Sequence, residues 1–204
     1  MKKLFPLIWI IFGALMIYFL FFNKKKDKVD DAKQHSIILK KHSDSFNKST
    51  DSVVNAYLNI KNAFVNTDTT AAKNATKNFI VLLDRLPIDE LKKDTATIFE
   101  TVQGNIADIK SNAASLLNQT DITEMRKDFS MVTEMMYPSF FTAINYEGPK
   151  LYLENCPMAF SDSISANWIS NSAIIVNPYM GKNHPTYHAG MLGCGSVKDS
   201  IVAK

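Results

Sequence analysis

The sequence has few of the residues on which structural and catalytic motifs depend. Only two cysteines occur in 204 residues, and no Cys-x-x-Cys, Cys-x-x-Cys-His or zinc-finger spacing is present, which excludes a disulfide-rich scaffold and the common zinc modules. The chain also lacks the Gly-x-Ser-x-Gly, His-Glu-x-x-His and P-loop motifs of hydrolase, protease and nucleotide sites. We therefore expect a protein that is not an enzyme.

The chain carries little net charge outside its first 28 residues. The formal charge is +3, and lysines that flank the first apolar run account for this excess, so the rest of the chain is slightly acidic. A nucleic-acid-binding protein needs a basic face. We therefore do not expect a nucleic-acid partner.

An uncharged apolar run extends from Leu4 to Phe22, which is long enough for a helix that spans a bilayer. It ends without an Ala-x-Ala-like cleavage site, so residues 1–22 are predicted to be an uncleaved transmembrane signal anchor. Residues 23–48 are polar and lysine-rich and are predicted to be a tether. Lysines lie on both sides of the run, with a slight excess that favours a body inside the cell.

Residues 49–147 are predicted to form a mainly α domain, an up-down bundle of about four helices. Apolar residues recur at three- and four-residue steps in four segments, which is the spacing of amphipathic helices. The third segment is the most regular, with one apolar face made of Leu91, Ile98, Val102, Ile106, Ile109, Ala113 and Leu116.

Start and stop signals bound these segments. Ser49, Thr50 and Asp51 are the N-cap candidates of the first helix. Asp121 is expected to cap the fourth helix, and Pro138 is expected to kink or interrupt it.

The helical spacing is lost in residues 148–204. Leu151–Leu153 and Ala173–Val176 are short β-prone runs between Ser, Asp and Asn residues, so an irregular segment with a short hairpin, packed on the bundle, is expected. This segment holds both cysteines, three of the nine methionines and two of the four histidines. We expect the functional site here.

Sulfur side chains of this segment occur in two pairs. Cys156 and Met158 are two residues apart, which places both on one side of an extended strand. Met191 and Cys194 are three apart across a glycine-flanked turn. Thiolate and thioether are soft ligands that prefer Cu(I) to hard cations.

Two histidines lie between these pairs. His184 and His188 are four apart and could add imidazole ligands, although Pro185 disfavours a regular helix there. The bound ion would be Cu(I) or Ag(I), or zinc less readily. The predicted metal ligands are Cys156, Met158, Met191, Cys194 and His188.

A disulfide is the alternative reading of the two cysteines. In an oxidising compartment, a bond between Cys156 and Cys194 would close a long loop and contribute on the order of 2–4 kcal/mol. It would also remove both thiolates from metal binding. Neither spacing is diagnostic, so the sequence leaves both readings open.

Several motifs of the segment resemble those of a bacterial family of uncharacterised domains. Members of that family stand alone behind signal or anchor sequences, or are fused to periplasmic adaptor subunits of copper/silver efflux pumps. The resemblance covers roughly residues 49–201, but the helical part matches only in pattern. The motifs are Leu151-Tyr152, Cys156-Pro157-Met158-Ala159, Trp168-Ile169-Ser170, Asn177-Pro178-Tyr179, Gly181 and Met191 through Gly195.

This resemblance implies a helical domain outside the cytoplasmic membrane, with heavy-metal binding presumed from the family context. The Cys-Pro-Met motif falls on residues 156–158, and the terminal Met-x-x-Cys-Gly motif falls on residues 191–195. The stretch Lys182–Gly190 is longer than the usual link in the family. Its two histidines are therefore weaker candidates than the sulfur residues.

Two hypotheses follow. The first is a single-pass protein of the bacterial inner membrane whose periplasmic domain binds Cu(I) or a similar soft ion, for efflux or buffering, with efflux-pump components as partners. The second is a non-catalytic envelope interaction module that is cross-linked by a Cys156–Cys194 disulfide and binds no metal.

Overall fold

The computed structural model describes residues 41–161 and 163–203. The predicted anchor and most of the predicted tether lie outside these residues. Within the described ranges, no helix combines the length and the apolar character needed to cross a bilayer.

The described chain is mainly helical and carries a small antiparallel sheet after its helices. A 3₁₀ segment, Ile88–Lys93, precedes the third helix, and a π-type turn, Met136–Phe140, follows the fourth. The helices are α1 (Asp44–Val65), α2 (Thr69–Asp84), α3 (Ala96–Asn118), α4 (Ile122–Met135) and the single turn α5 (Phe141–Ala143). The strands are β1 (Leu151–Ser161), β2 (Ile164–Ser170) and β3 (Ser196–Ile201).

Helix α1 begins earlier than its sequence signals indicated. The N-cap is Ser43, whose Oγ accepts a 3.1 Å hydrogen bond from the backbone N–H of Phe46. The predicted caps at residues 49–51 are therefore wrong, and residues 44–48 of the predicted tether form the first turn of the helix. The buried Phe46 ring supplies the apolar contact that holds this turn on the core.

The start of α4 and the interruption after it lie where the capping residue and the proline in the sequence predict them. Asp121 is the N-cap of α4, as predicted, and its Oδ1 accepts from the N–H groups of Thr123 and Glu124. The predicted interruption near Pro138 is confirmed, because Tyr137 has extended dihedral angles, φ −116° and ψ 132°. Leu91 is buried as expected, but it lies in the 3₁₀ segment before α3 rather than in the helix.

The sheet has the order β2–β1–β3, with β1 pairing antiparallel to both neighbours. The prediction of a strand from Leu151 is confirmed, but its hairpin partner is β2, at residues 164–170, and not the run at residues 173–176. The predicted strand at Ala173–Val176 is wrong: these residues form bends and irregular chain, and Ile174 is 75% exposed. The third strand is the polar β3, which lies beside β1.

One tyrosine joins the sheet to the helices. The ring of Tyr57 in α1 stacks on Phe129 of α4, with 5.0 Å between ring centroids. Its hydroxyl accepts a 3.1 Å hydrogen bond from the backbone N–H of Ile169 in β2 and lies 2.6 Å from Thr133 Oγ1 of α4. The sheet is therefore held on α1 and α4 through a fully buried hydroxyl.

Candidate functional site

The first cysteine lies on the central strand of the sheet. Cys156 is opposite Ala166 of β2, and its side chain is fully buried. The regular pairing of β1 with β2 breaks directly after it, in residues 157–160. Pro157 occupies this break, which suits a residue that has no N–H to donate to a ladder.

The second cysteine lies in a turn that leads into β3. A short 3₁₀ segment, Ala189–Met191, precedes it, and the N–H of Cys194 donates to the carbonyl of Met191 at 3.0 Å. Gly195 follows with φ +141°, where a Cβ would lie 2.7 Å from the carbonyl oxygen of Asn155 and 2.9 Å from the Trp168 ring. A glycine is needed here because the backbone passes directly over β1 and β2.

The two cysteine sulfurs are neighbours in space, although 38 residues separate them in the chain. Sγ of Cys156 and Sγ of Cys194 are 2.9 Å apart, and both cysteines are free. Two sulfurs bonded to each other would be about 2.05 Å apart. Two sulfurs on one zinc-sized ion, at about 2.3 Å each in tetrahedral geometry, would be about 3.8 Å apart.

A buried asparagine fixes the turn that carries Cys194. The side-chain Nδ2 of Asn177 donates a 2.8 Å hydrogen bond to the carbonyl oxygen of Cys194. Its Oδ1 accepts from the N–H groups of Tyr179 and Met180, at 2.8 and 3.1 Å. Its backbone N–H donates to the carbonyl of Leu192 at 2.8 Å. Asn177 is fully buried, and its bonds to Tyr179 and Met180 are buried with it.

Lys182, which directly follows the turn at residues 177–181, anchors the C-terminal segment on the helices. The N–H of Lys182 donates to the carbonyl of Val65 at the end of α1, at 2.8 Å. The buried guanidinium of Arg126 donates to the neighbouring carbonyl of Phe64 at 3.0 Å. Gly181 has φ +66°, and a Cβ there would lie 2.5 Å from Arg126 Nη2. Burial lowers the pKa of Arg126 to about 10, which leaves it charged at neutral pH.

Tyr179 fills the space beneath the site. Its ring makes edge contacts with Trp168 and Phe160, at centroid distances of 5.9 and 5.2 Å. Its hydroxyl donates to the carbonyl of Asn167 in β2. The Asn-Pro-Tyr turn is therefore part of the hydrophobic core.

The thiol of Cys194 is protonated at neutral pH in the free protein. Burial, together with the hydrogen bond to Cys156, raises the pKa of Cys194 to about 11. A metal ion or an oxidant would have to displace this proton, because the thiolate is the reactive and ligating form.

A buried carboxyl group lies two residues before Cys156. Glu154 is fully buried, and burial raises its pKa to about 7, against the opposing effects of Lys61 and the Trp168 indole. Burial in turn lowers the pKa of Lys61. No motif in the sequence marks this pair of buried ionisable groups between α1 and β1.

The other three predicted ligands, Met158, Met191 and His188, each lie in a different environment from the two thiols. Met158 lines a cavity together with Met180 and His184, and neither cysteine lines it. Met191 is partly buried against the hydrophobic core. His188 is exposed, with φ +50°, and its N–H donates to the carbonyl of His184 at 2.9 Å.

In the part of the chain that the structure describes, no three His, Cys, Asp or Glu side chains gather where they could hold a metal ion. A site for a soft ion would therefore consist of two thiols alone or would draw on methionine sulfur. Asn177 and Arg126 are the supporting residues that sequence reasoning missed. The Asn-Pro-Tyr motif was the available signal for Asn177, whereas nothing in the sequence marked Arg126.

A small sheet packed on α1 and α4, with the thiol of Cys156 on β1 beside the thiol of Cys194 in the segment between β2 and β3, defines the fold and the candidate site. The helical part, residues 53–145, matches a family model described as "Protein of unknown function (DUF3347)". This match lies before every sulfur-bearing motif of the C-terminal segment. No curated protein and no solved structure matches the chain.

Proposed function

We propose that the chain binds one Cu(I) or Ag(I) ion through the thiolates of Cys156 and Cys194. The observation that carries this proposal is the 2.9 Å separation of the two sulfurs. Two thiolates are a soft ligand pair and would hold a monovalent soft ion more tightly than a hard divalent cation.

The ligand pair fits such an ion in chemistry, but the sulfurs must separate by about 1 Å to reach the spacing of two thiolates on one metal. This separation requires the backbone before Cys194 to shift, while the hydrogen bond from Asn177 holds the Cys194 carbonyl. A Cβ at Gly190 or at Gly193 would meet nothing within 4 Å, so the chain before Cys194 has open space around it. Cys156 stays fixed on the central strand.

The proposed setting is the periplasmic face of the bacterial inner membrane, with residues 1–22 as a single-pass anchor. The apolar length of that run supports the anchor, and the resemblance of the C-terminal motifs supports the location. An anchored domain that holds Cu(I) would buffer the ion or pass it to efflux-pump components.

The test is an anaerobic Cu(I) titration of the full-length chain in detergent against a competing chelator, after a thiol count. We expect the first equivalent of Cu(I) to bind tightly to the native chain, and its affinity to fall at least about tenfold in the Cys156→Ser/Cys194→Ser variant. Met131→Leu, which changes a half-exposed methionine of α4, is the control and should leave the affinity unchanged. Equal affinity of the double variant and the native chain, with both thiols reduced, would overturn the proposal.

A second candidate function is an envelope interaction module with a structural disulfide. The same proximity supports it, since the two sulfurs at 2.9 Å lie within about 1 Å of the spacing of a sulfur–sulfur bond. Oxidation in the native compartment would lower the intact mass by two hydrogens. The Cys156→Ser/Cys194→Ser variant would then lose about 2–4 kcal/mol of stability.

A further inference from the structure

A second group of soft ligands lines a separate cavity of about 200 Å³ beside the sheet. Two methionines and a histidine, Met158, Met180 and His184, are among the residues that line it. The aromatic residues Phe160 and Tyr187 line it as well. Thioether and imidazole side chains are soft or borderline donors, so residues of these types around one cavity suit a soft monovalent ion better than a hard cation.

The two methionines are held by parts of the fold that the cysteine site also uses. Met158 lies on β1, separated from Cys156 by the exposed Pro157. Met180 is 3% exposed, and its backbone N–H donates to Oδ1 of Asn177. The asparagine turn that positions Cys194 therefore also positions Met180.

The imidazole is held in a defined orientation. Nδ1 of His184 accepts hydrogen bonds of 3.2 Å from the backbone N–H groups of Thr186 and Tyr187, and the ring stacks on Tyr187 at 4.9 Å. In this neutral tautomer, Nε2 carries the proton. An ion bound at Nε2 would move that proton to Nδ1, and the two long hydrogen bonds would be released.

The charge near the cavity disfavours a divalent ion. The imidazole of His184 offers a lone pair at Nε2 only once its proton has moved to Nδ1. The thioethers are neutral donors. The Arg126 charge opposes any cation here, and it opposes a divalent ion more than a monovalent one.

We propose that Met158, Met180 and His184 form a second site for a soft monovalent cation, Ag(I) or Cu(I), which works without thiols. A disulfide between Cys156 and Cys194 would abolish a thiolate site, but thioether and imidazole ligands would keep their lone pairs. The inference widens the proposed function to a second site for the same ions and does not depend on thiolate binding.

The test uses the full-length Cys156→Ser/Cys194→Ser variant in detergent, with ¹³C-labelled methionine methyl groups and AgNO₃ in chloride-free buffer. We expect the methyl resonances of Met158 and Met180 to shift and to saturate near one equivalent of silver. The amide resonances of Thr186 and Tyr187 should shift in the same titration, because their hydrogen bonds to His184 are released. The methyl resonance of Met131, which is half exposed on α4, should stay in place.

Single substitutions then locate the ligands. Met158→Leu, Met180→Leu and His184→Gln should each weaken silver binding by at least about tenfold, whereas Met131→Leu and His188→Gln should not. Thermal unfolding of each variant checks that the fold is retained, which leucine allows because it nearly conserves methionine volume. Unchanged affinity in the two methionine variants or in His184→Gln would overturn the proposal, as would the absence of shifts at Met158 and Met180.

The thiolate site and the methionine–histidine site can each be overturned without affecting the other. If the double serine variant binds Cu(I) as tightly as the native chain, the thiolate site is wrong, and the methionine variants still decide the second site. If the serine variant binds no silver, the second site is wrong, and the thiolate titration is unaffected.

Discussion

The side-chain amide of Asn177 donates a 2.8 Å hydrogen bond to the carbonyl oxygen of Cys194. Through its Oδ1 the same side chain holds the backbone of Tyr179 and Met180. One buried amide therefore connects the turn at residues 177–181 to the turn that carries the second thiol. Substitution of this residue tests whether the site depends on it.

Asn177→Ala should destabilise the fold by about 3 kcal/mol, because it removes two buried hydrogen bonds and one part-buried one and leaves their backbone partners without a replacement. Urea unfolding measures the change. Cys194 should also be alkylated faster under native conditions, since its turn loses the anchor. Asn183→Ala, at an exposed position of the same segment, is the control. Equal alkylation rates in the native chain and in the Asn177 variant would show that the amide does not fix the turn.

Gly181→Ala should destabilise the chain by more than about 2 kcal/mol. Its backbone has φ +66°, and the new Cβ would lie 2.5 Å from Arg126 Nη2 and 2.9 Å from the carbonyl oxygen of Phe64. Gly190→Ala is the matched control, because a Cβ there meets nothing within 4 Å, and it should change stability by less than about 0.5 kcal/mol. Similar effects of the two variants, measured by thermal unfolding, would contradict this role of Gly181.

Gly104→Ala should stabilise the chain by about 0.5–1 kcal/mol. Gly104 is an exposed interior residue of α3, and a Cβ there would meet no atom within 4 Å. Alanine lowers the conformational entropy of the unfolded chain and has the higher helix propensity. A loss of stability in urea unfolding of this variant would contradict the prediction.

Glu90 stabilises the fold by an amount that depends on pH in the acid range. Hydrogen bonds from Lys93 and Ser43 lower the pKa of Glu90 from 4.5 to about 2. Since the folded pKa is lower than the unfolded one, the stabilisation is fully present above about pH 4.5 and is lost as the pH falls through about 2. Screening by solvent limits it to about 1 kcal/mol. In Glu90→Gln, the free energy of unfolding should therefore change less with pH between about 2 and 4.5 than it does in the native chain.

The control for that experiment is Asp89→Asn, which changes an exposed carboxylate one residue away. Asp89 pairs with Lys92 on the surface, and exposed pairs of this kind contribute little. Its pH profile should follow that of the native chain. A profile of Glu90→Gln that also follows the native chain would show that the bonds to Ser43 and Lys93 add no net stability.

Features set by neighbouring residues were predictable from the sequence. The cap at Asp121 and the interruption near Pro138 depend on chain geometry within a few positions. The cap of α1 was not predicted, because Ser43 lies in a polar stretch and its role depends partly on Glu90, to which its N–H and Oγ donate.

Features that depend on distant contacts were not predictable. Ile174 and Ile175 have high strand propensity, but none of the strands that the structure describes pairs with them, whereas the polar β3 is a strand because β1 pairs with it. Whether a β-prone segment forms a strand depends on the strands and side chains that pack beside it. The bond from Arg126 to Phe64 spans 62 residues. Likewise, the shared cavity of Met180 and His184 has no signature in the sequence.

The ligands of the bound ion test the central claim most directly, and copper K-edge X-ray absorption of the full-length chain loaded with one equivalent of Cu(I) reports them. We predict a first shell dominated by sulfur at thiolate distance, which the Cys156→Ser/Cys194→Ser variant loses. A copper shell that is the same in the native chain and in the double serine variant would contradict the claim that Cys156 and Cys194 hold the ion.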